Sequence, residues 1–233
     1  MQPAPEIQTM TLLSAGFVFG MKHALDADHL AAISTIVSER KSWFSSSIIG
    51  GLWGIGHTIS LFVAGAIVLF LKIQISLRVE NILESCVGLM LVGLGVSALW
   101  KLRRGSKLHL HPHQHGERVH LHPHFHDQQA TEISHHTVGK RPLFIGLLHG
   151  LAGSAALMLL VLSSIPTPLL GMVYIAVFGV GSIIGMMLLS SLIGLPFHLT
   201  ESRFKTANLS ARILAGIFSV GCGLMIIYQK GQL

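Results

Sequence analysis

Four ionisable side chains lie within seven residues of the first apolar stretch: His23, Asp26, Asp28 and His29. Each such group near the centre of a bilayer costs roughly 2.5–3.5 kcal/mol on insertion scales, so groups of this kind are retained where they have a function. Imidazole and carboxylate together are ligands for divalent transition metals. The segment therefore predicts an ion site buried in a membrane.

The spacing of these groups allows two geometries. On a regular helix of about 100° per residue, with His23 at zero, Asp26 lies near roughly 300° and His29 near roughly 240°, whereas Asp28 faces away at roughly 140°. Asp26 could then be a direct ligand, with Asp28 orienting an imidazole from behind. Alternatively, the helix breaks locally, as transporter helices do around their ions. The sequence leaves both geometries open.

Composition places the chain among membrane proteins. Apolar residues make up 51% and charged residues 11%, and the mean hydropathy is +0.64, which is too apolar for a soluble domain of this length. We predict an all-α membrane protein, because a helix crosses the hydrocarbon with about 20 residues. Six predicted transmembrane helices cover Met10–Val37, Ile48–Leu71, Ile82–Trp100, Leu143–Leu162, Leu169–Leu195 and Ala211–Tyr228.

The basic residues are distributed unevenly between the two sides that these spans define. Three of them (Lys72, Arg78 and Lys230) fall on the side of the N-terminus and twelve on the other, while Lys22 lies inside the first span. The positive-inside rule then places both termini outside and the long middle loop in the cytoplasm. The net charge of +6 thus reflects the topology of a multi-pass cell-membrane protein and does not indicate nucleic-acid binding.

Short motifs recur at offsets of 126, 125 and 128 residues, which indicates that a three-helix unit was duplicated. The alternative is chance, since glycine is common in membrane helices. An odd number of spans inverts the second copy, and inverted repeats typically bind substrate near the midplane, between the halves. The halves are residues 1–100, with the metal motif, and 143–233. The matching motifs are Gly20–Leu25 with Gly146–Leu151, Gly54–His57 with Gly179–Ser182, and Val92–Gly95 with Val220–Gly223.

A hydrophilic segment, residues 101–142, joins the halves and holds ten of the fifteen histidines. Within it, H-L-H-P-H-Q-H at His109–His115 recurs as H-L-H-P-H-F-H at His120–His126. Histidine alternating with proline cannot form a helix, and such a tract offers flexible chelating arms for Ni, Co, Cu or Zn. We predict a cytoplasmic loop that buffers metal. A solvated linker without a role is the alternative.

Two further histidines lie alone in apolar spans, His57 in the second and His149 in the fourth. A lone histidine within a membrane often makes a hydrogen bond between helices. Because His149 matches His23 in the repeat, a place at the ion site is favoured for it. His198 stands at the end of a span and is expected at the membrane interface.

At this point the motifs resemble those of the nickel/cobalt transporter family. H-A-L-D-A-D-H, beginning at His23, resembles the family's H-A-x-D-A-D-H signature, with Lys22 where those proteins usually carry arginine. G-H-T at Gly56–Thr58 resembles the family's L-G-H-S motif. Residues Gly185–Gly194 resemble G-M-x-L-x-D-T-x-D-G, although Ser190, Ser191 and Ile193 replace its Asp, Thr and Asp.

The segment H-G-L-A-G-S-A-A-L, His149–Leu157, instead resembles the shorter, urease-accessory branch of that family, whose members are six-span membrane proteins. The resemblance covers most of the membrane portion and is most specific in the first span. It implies transport of Ni²⁺ or Co²⁺. The metal residues that it implies are His23, Asp26, Asp28, His29 and His57, with His149 from the branch motif.

We therefore expect a secondary permease for Ni²⁺ or Co²⁺ in either direction. It would not be an enzyme and would need no cofactor, and G-x-x-x-x-G-K-[ST] for ATP does not occur in the sequence. One alternative is a membrane partner that delivers nickel to metallochaperones or a metalloenzyme maturation system. Another is a thiol-disulfide carrier, but Cys86 and Cys222 lack a C-x-x-C motif and do not match in the repeat.

Overall fold

The structure is a computed structural model that describes residues 5–38, 42–73, 75–104, 109–115, 118–124, 140–152, 165, 167–201 and 204–231. Within these ranges it contains seven helices and two strands. In chain order they are α1 Pro5–His23, α2 Ala27–Val37, α3 Trp43–Leu71, α4 Leu77–Arg104, β1 His109–His115, β2 Arg118–His124, α5 Arg141–Ala152, α6 Pro168–Glu201 and α7 Lys205–Lys230.

Four of the described helices, α3, α4, α6 and α7, are long and apolar enough to cross a membrane. Their outer faces expose large apolar side chains, including Phe62, Leu89, Leu192 and Leu214. In water an apolar surface of this extent would promote aggregation, whereas in a bilayer it meets lipid. The chain is thus a multi-pass membrane protein.

The first predicted span is divided into two helices. α1 ends at His23 and α2 begins at Ala27, with an extended backbone at Asp26 (φ −63°, ψ 149°). Of the two geometries that the sequence allowed, the locally broken helix is the one observed. The fourth predicted span is described only as far as Ala152, and its remainder, 153–162, lies outside the described residues.

Helices α1, α3, α5 and α6 pack closely because glycines lie at their crossings. A Cβ atom at Gly20 of α1 would collide with the carbonyl oxygen of Phe178 in α6. In the same way, a Cβ atom at Gly146 of α5 would collide with the carbonyl oxygen of Trp53 in α3. Small residues let membrane helices approach closely, and here they bring four helices together around the middle of α3.

The described parts of the histidine-rich connector form an antiparallel hairpin. Its register pairs His109 with His124, His111 with His122, and His113 with His120. The sequence analysis did not predict this hairpin. His126, His135 and His136, which belong to the same predicted metal-buffering segment, lie outside the described residues.

Candidate metal centre

The break between α1 and α2 brings Asp26 to His23. Asp26 is the N-cap residue of α2, yet its side chain makes no capping hydrogen bond. Instead, its Oδ2 lies 2.6 Å from Nδ1 of His23. An ionised carboxylate can only accept, so a neutral His23 ring donates from Nδ1 and keeps its lone pair on Nε2. Asp26 therefore orients His23 with its lone pair available to an ion.

Asp28, in the first turn of α2, contacts two imidazoles. Its Oδ1 accepts a hydrogen bond from the backbone N–H of His29 and lies 2.9 Å from Nδ1 of the same residue. Its Oδ2 lies 2.9 Å from Nε2 of His149 in α5. By the same reasoning the lone pairs fall on Nε2 of His29 and Nδ1 of His149. These two atoms are buried and have no hydrogen-bond partner among the described residues.

His57 lies at the centre of α3, with fourteen residues of that helix on either side. Its ring centroid is 5.2 Å from that of His23, 5.3 Å from that of His29 and 6.0 Å from that of His149. The side chain is 1% exposed, and neither ring nitrogen has a hydrogen-bond partner in the described part of the chain. Buried polar groups are normally paired, so this imidazole is one that an ion would satisfy.

The structure brings together all six residues that the sequence analysis singled out. Two sets of three could hold an ion, His23 with His29 and His57, and Asp28 with His29 and His149. In each set the ligand atoms lie within 4.8 Å of one another. The cluster opens at one end, where the side chains of His23 and Asp26 are 17% and 52% exposed.

Two aromatic rings next to the cluster were missed by the sequence analysis. Trp53, one helical turn before His57, has its ring centroid 5.2 Å from that of His29 and 5.4 Å from that of His149. The ring of Phe178 in α6 lies 5.5 Å from that of His23. The repeat could have indicated both, because Trp53 and Phe178 match at the offset of 125 residues.

Other residues named from the sequence lie apart from the cluster or lack a ligand group. His198 is exposed near the end of α6. Ser190, which stands where the resembled motif has Asp, is buried, and its hydroxyl has no partner among the described residues. Cys86 and Cys222 are both free thiols.

Comparison with known proteins gives a consistent set of relatives. The profile of the NicO family, described as "High-affinity nickel-transport protein", matches residues 9–201. The urease accessory protein UreH of Bacillus sp. (strain TB-90) is 37% identical over 97% of this chain and 94% of its own length. A putative nickel/cobalt efflux system of Methanocaldococcus jannaschii is 27% identical over 84% of this chain and 80% of its own.

A plant protein is more distantly similar. The chloroplast protein FOR GROWTH AND FERTILITY 2 of Arabidopsis thaliana is 25% identical over 96% of this chain and 58% of its own length. No solved structure matches the chain. The family profile covers well over half of the sequence, including His23, His29 and His57 of the first half and all of α5. The chain therefore belongs to the NicO family of nickel-transport proteins.

Proposed function

We propose that the chain is a secondary permease that carries Ni²⁺ or Co²⁺ across the cell membrane. The ion is held by the imidazoles of His23, His29 and His57. One observation carries this proposal. Both ring nitrogens of His57, at the middle of α3, and Nε2 of His29, in the first turn of α2, are buried without a hydrogen-bond partner among the described residues. Imidazole is a suitable ligand for Ni²⁺ and Co²⁺, and an ion would supply the missing partner.

Asp26 and Asp28 act from behind the ligands. Histidines that bind metals commonly donate their other ring N–H to a carboxylate, which fixes the tautomer and strengthens the ligand. Asp26 serves His23 in this way and Asp28 serves His29. Asp28 also contacts His149 of α5 and so ties the second half of the chain to the site.

With nitrogen and oxygen ligands Ni²⁺ is square-planar or has a higher coordination number. Three imidazoles therefore do not complete its coordination. The remaining positions are open to water. Water and the incoming ion reach the site from the end where His23 and Asp26 are partly exposed.

We further propose that the membrane part has six spans arranged as two inverted repeats, residues 1–100 and 143–233, joined by the connector 101–142. Contacts support this. If a two-fold axis relates the halves, each contact between them must occur twice. In the second contact, each residue is replaced by the residue that matches it in the other half. Three such pairs of contacts are observed. The close approach of Gly20 to Phe178 is matched by that of Gly146 to Trp53, and the close approach of Gly181 to Phe17 is matched by that of Gly56 to Leu143. The close approach of Gly88 to Gly223 is matched by that of Gly95 to Gly216.

An inverted repeat supports alternating access, in which two halves rock around a site between them. Both termini are then outside and the connector is cytoplasmic, as the distribution of basic residues favours. A reporter fused after Gly105 is expected inside and one at the C-terminus outside. A cytoplasmic C-terminus would contradict the six-span arrangement.

The proposed function is tested by flux in liposomes that contain only this protein. Ni²⁺, Co²⁺, Zn²⁺ and Mg²⁺ are supplied on either side, and metal movement is followed with an enclosed fluorescent chelator. Saturable flux of Ni²⁺ or Co²⁺ without ATP is expected. If no transition metal moves through well-inserted protein, the proposal is wrong.

A second candidate is a membrane protein that passes nickel to a metalloenzyme maturation system without transporting it. The name of the 37% identical relative, urease accessory protein, favours it. The same flux assay separates the two functions, because a delivery partner would bind nickel in liposomes but would not move it across.

A further inference from the structure

We propose that the transported ion has a second, inner position, formed by Asp28, His29 and His149, and that it passes between the two positions by exchanging the partners of His29. This inference rests on the proposed function and adds a step to it. In the outer position the partners of His29 are His23 and His57. In the inner position they are Asp28 and His149. The ion there replaces the two protons that lie between Asp28 and Nδ1 of His29 and between Asp28 and Nε2 of His149, and each neutral ring carries its proton on its other nitrogen.

One residue, His29, belongs to both sets of ligands. His29 lies in each of the two groups whose ligand atoms fall within 4.8 Å of one another. Its ring centroid is 4.5 Å from that of His23 on one side and 4.2 Å from that of His149 on the other. Two dications sharing one imidazole would repel strongly, so a single ion occupies the positions alternately.

The two positions differ in the charge of their ligands. Each has one partly exposed member, since the side chains of His23 and Asp28 are 17% and 27% exposed, and in each the other two members are buried. The outer position has three imidazoles, whereas the inner position includes a carboxylate, which offsets part of the charge of a desolvated dication. An ion that moves inward therefore gains the charge of Asp28.

His23 and His149 occupy equivalent places in the two proposed repeats. They match at the repeat offset of 126 residues, and each lies beside an aromatic ring. The ring of His23 is 5.5 Å from that of Phe178, and the ring of His149 is 5.4 Å from that of Trp53. Both aromatic rings are buried, but His149 is fully buried whereas the side chain of His23 is 17% exposed, so the His149 side is the more closed of the two. Opening of the second half would then release the ion from the inner position.

The test compares equilibrium binding with transport. His149→Gln keeps an amide N–H for Asp28 but removes the imidazole lone pair, and His57→Ala removes a ligand of the outer position alone. The exposed His198→Gln is the matched control. Ni²⁺ binding to full-length protein in nanodiscs is measured by calorimetry, and Ni²⁺ flux is measured in liposomes.

We expect the wild-type protein to bind one Ni²⁺ per chain more than His29→Ala, which keeps the metal-binding connector but lacks the ligand common to both positions. His149→Gln should bind one Ni²⁺ with little loss of affinity, but its flux should fall by about tenfold or more, the usual scale for removing a group at a metal site. His57→Ala should lose affinity and flux together, and His198→Gln should match the wild type.

Three results would overturn the second position. They are normal flux in His149→Gln, parallel loss of binding and flux in that variant, and binding of two Ni²⁺ per wild-type chain beyond those bound by His29→Ala. If His149→Gln does not fold, His149→Asn is measured in the same way and judged by the same outcomes. If the wild-type protein binds Ni²⁺ but does not transport it, the proposed permease function is wrong. That result is distinct from the three results that would overturn only the second position.

Discussion

Oδ2 of Asp28 and Nε2 of His149 lie 2.9 Å apart, although 121 residues separate the two in the chain. The other oxygen of the same carboxylate lies 2.9 Å from Nδ1 of His29. One partly buried acidic side chain thus positions an imidazole from each half of the chain. A change at Asp28 should therefore affect the site more than a change at the exposed Asp26.

Replacement of Asp28 by Asn should lower the affinity for Ni²⁺ by about 10–100-fold, because an amide cannot accept from both imidazoles. The matched variant Asp26→Asn should have a smaller effect, since its carboxylate is 52% exposed and water can replace it. Calorimetry on both variants in nanodiscs checks the order of the two effects. An equal loss in both variants would mean that Asp28 does not have the bridging role assigned to it.

The sequence predicted which residues form the cluster but not how they contact one another. The types and spacing of His23 to His29 were sufficient to indicate an ion site, because four ionisable groups in a membrane span have a high insertion cost. The pairing of Asp26 with His23, and of Asp28 with His29 and His149, depends on the helix break after His23. That break was one of two geometries equally compatible with the spacing.

The glycine at the α3–α5 crossing gives a prediction with an internal control. Gly56→Ala should lower the thermal stability in detergent and the affinity for Ni²⁺, because its Cβ atom would collide with the carbonyl oxygen of Leu143. Gly181→Ala, its repeat equivalent, should behave similarly through Phe17. Gly93→Ala should be neutral or slightly stabilising, since its added Cβ meets nothing within 4 Å apart from the adjacent backbone of its own helix, and alanine favours helix.

Thermal melting of the three purified variants, followed by measurement of Ni²⁺ binding, checks whether the glycines at the helix crossings are required for stability and for the site. If Gly56→Ala and Gly181→Ala both melt like Gly93→Ala, the close approach of the helices is not required for the site. If only one of them is affected, the proposed two-fold relation between the halves loses its support.

Deletion of residues 109–126 should leave flux at saturating metal close to that of the wild type. The ion cluster lies in α1 to α3 and α5, away from the connector in sequence, and clustered imidazoles bind metal without needing the membrane fold. The expected change is a reduced response at low metal concentration. Liposome flux across a range of Ni²⁺ concentrations checks it, and loss of flux at saturation by a folded deletion variant would place the connector in the ion path.

The β-hairpin in that connector was not predicted: the prolines excluded a helix, and the segment was expected to be a flexible chelating loop. Pro112 and Pro123 cannot donate to the ladder, which disfavours them in central strands. A two-stranded hairpin has only edge strands, where proline is tolerated, and the alternation of histidines has the period of a strand. The register pairs Pro112 with Leu121 and Pro123 with Leu110. The alternation of histidines therefore indicated a strand, whereas the composition of the segment favoured a flexible chelating coil.

The measurement that bears most directly on the proposed function is Ni²⁺ flux in liposomes with His29→Ala. His29 is fully buried, belongs to both candidate ligand sets and contacts Asp28. Flux should fall to the level of empty liposomes while the variant still inserts and elutes like the wild type, and the exposed control His198→Ala should transport normally. Wild-type flux in a well-folded His29→Ala protein would show that the ion does not pass through this cluster.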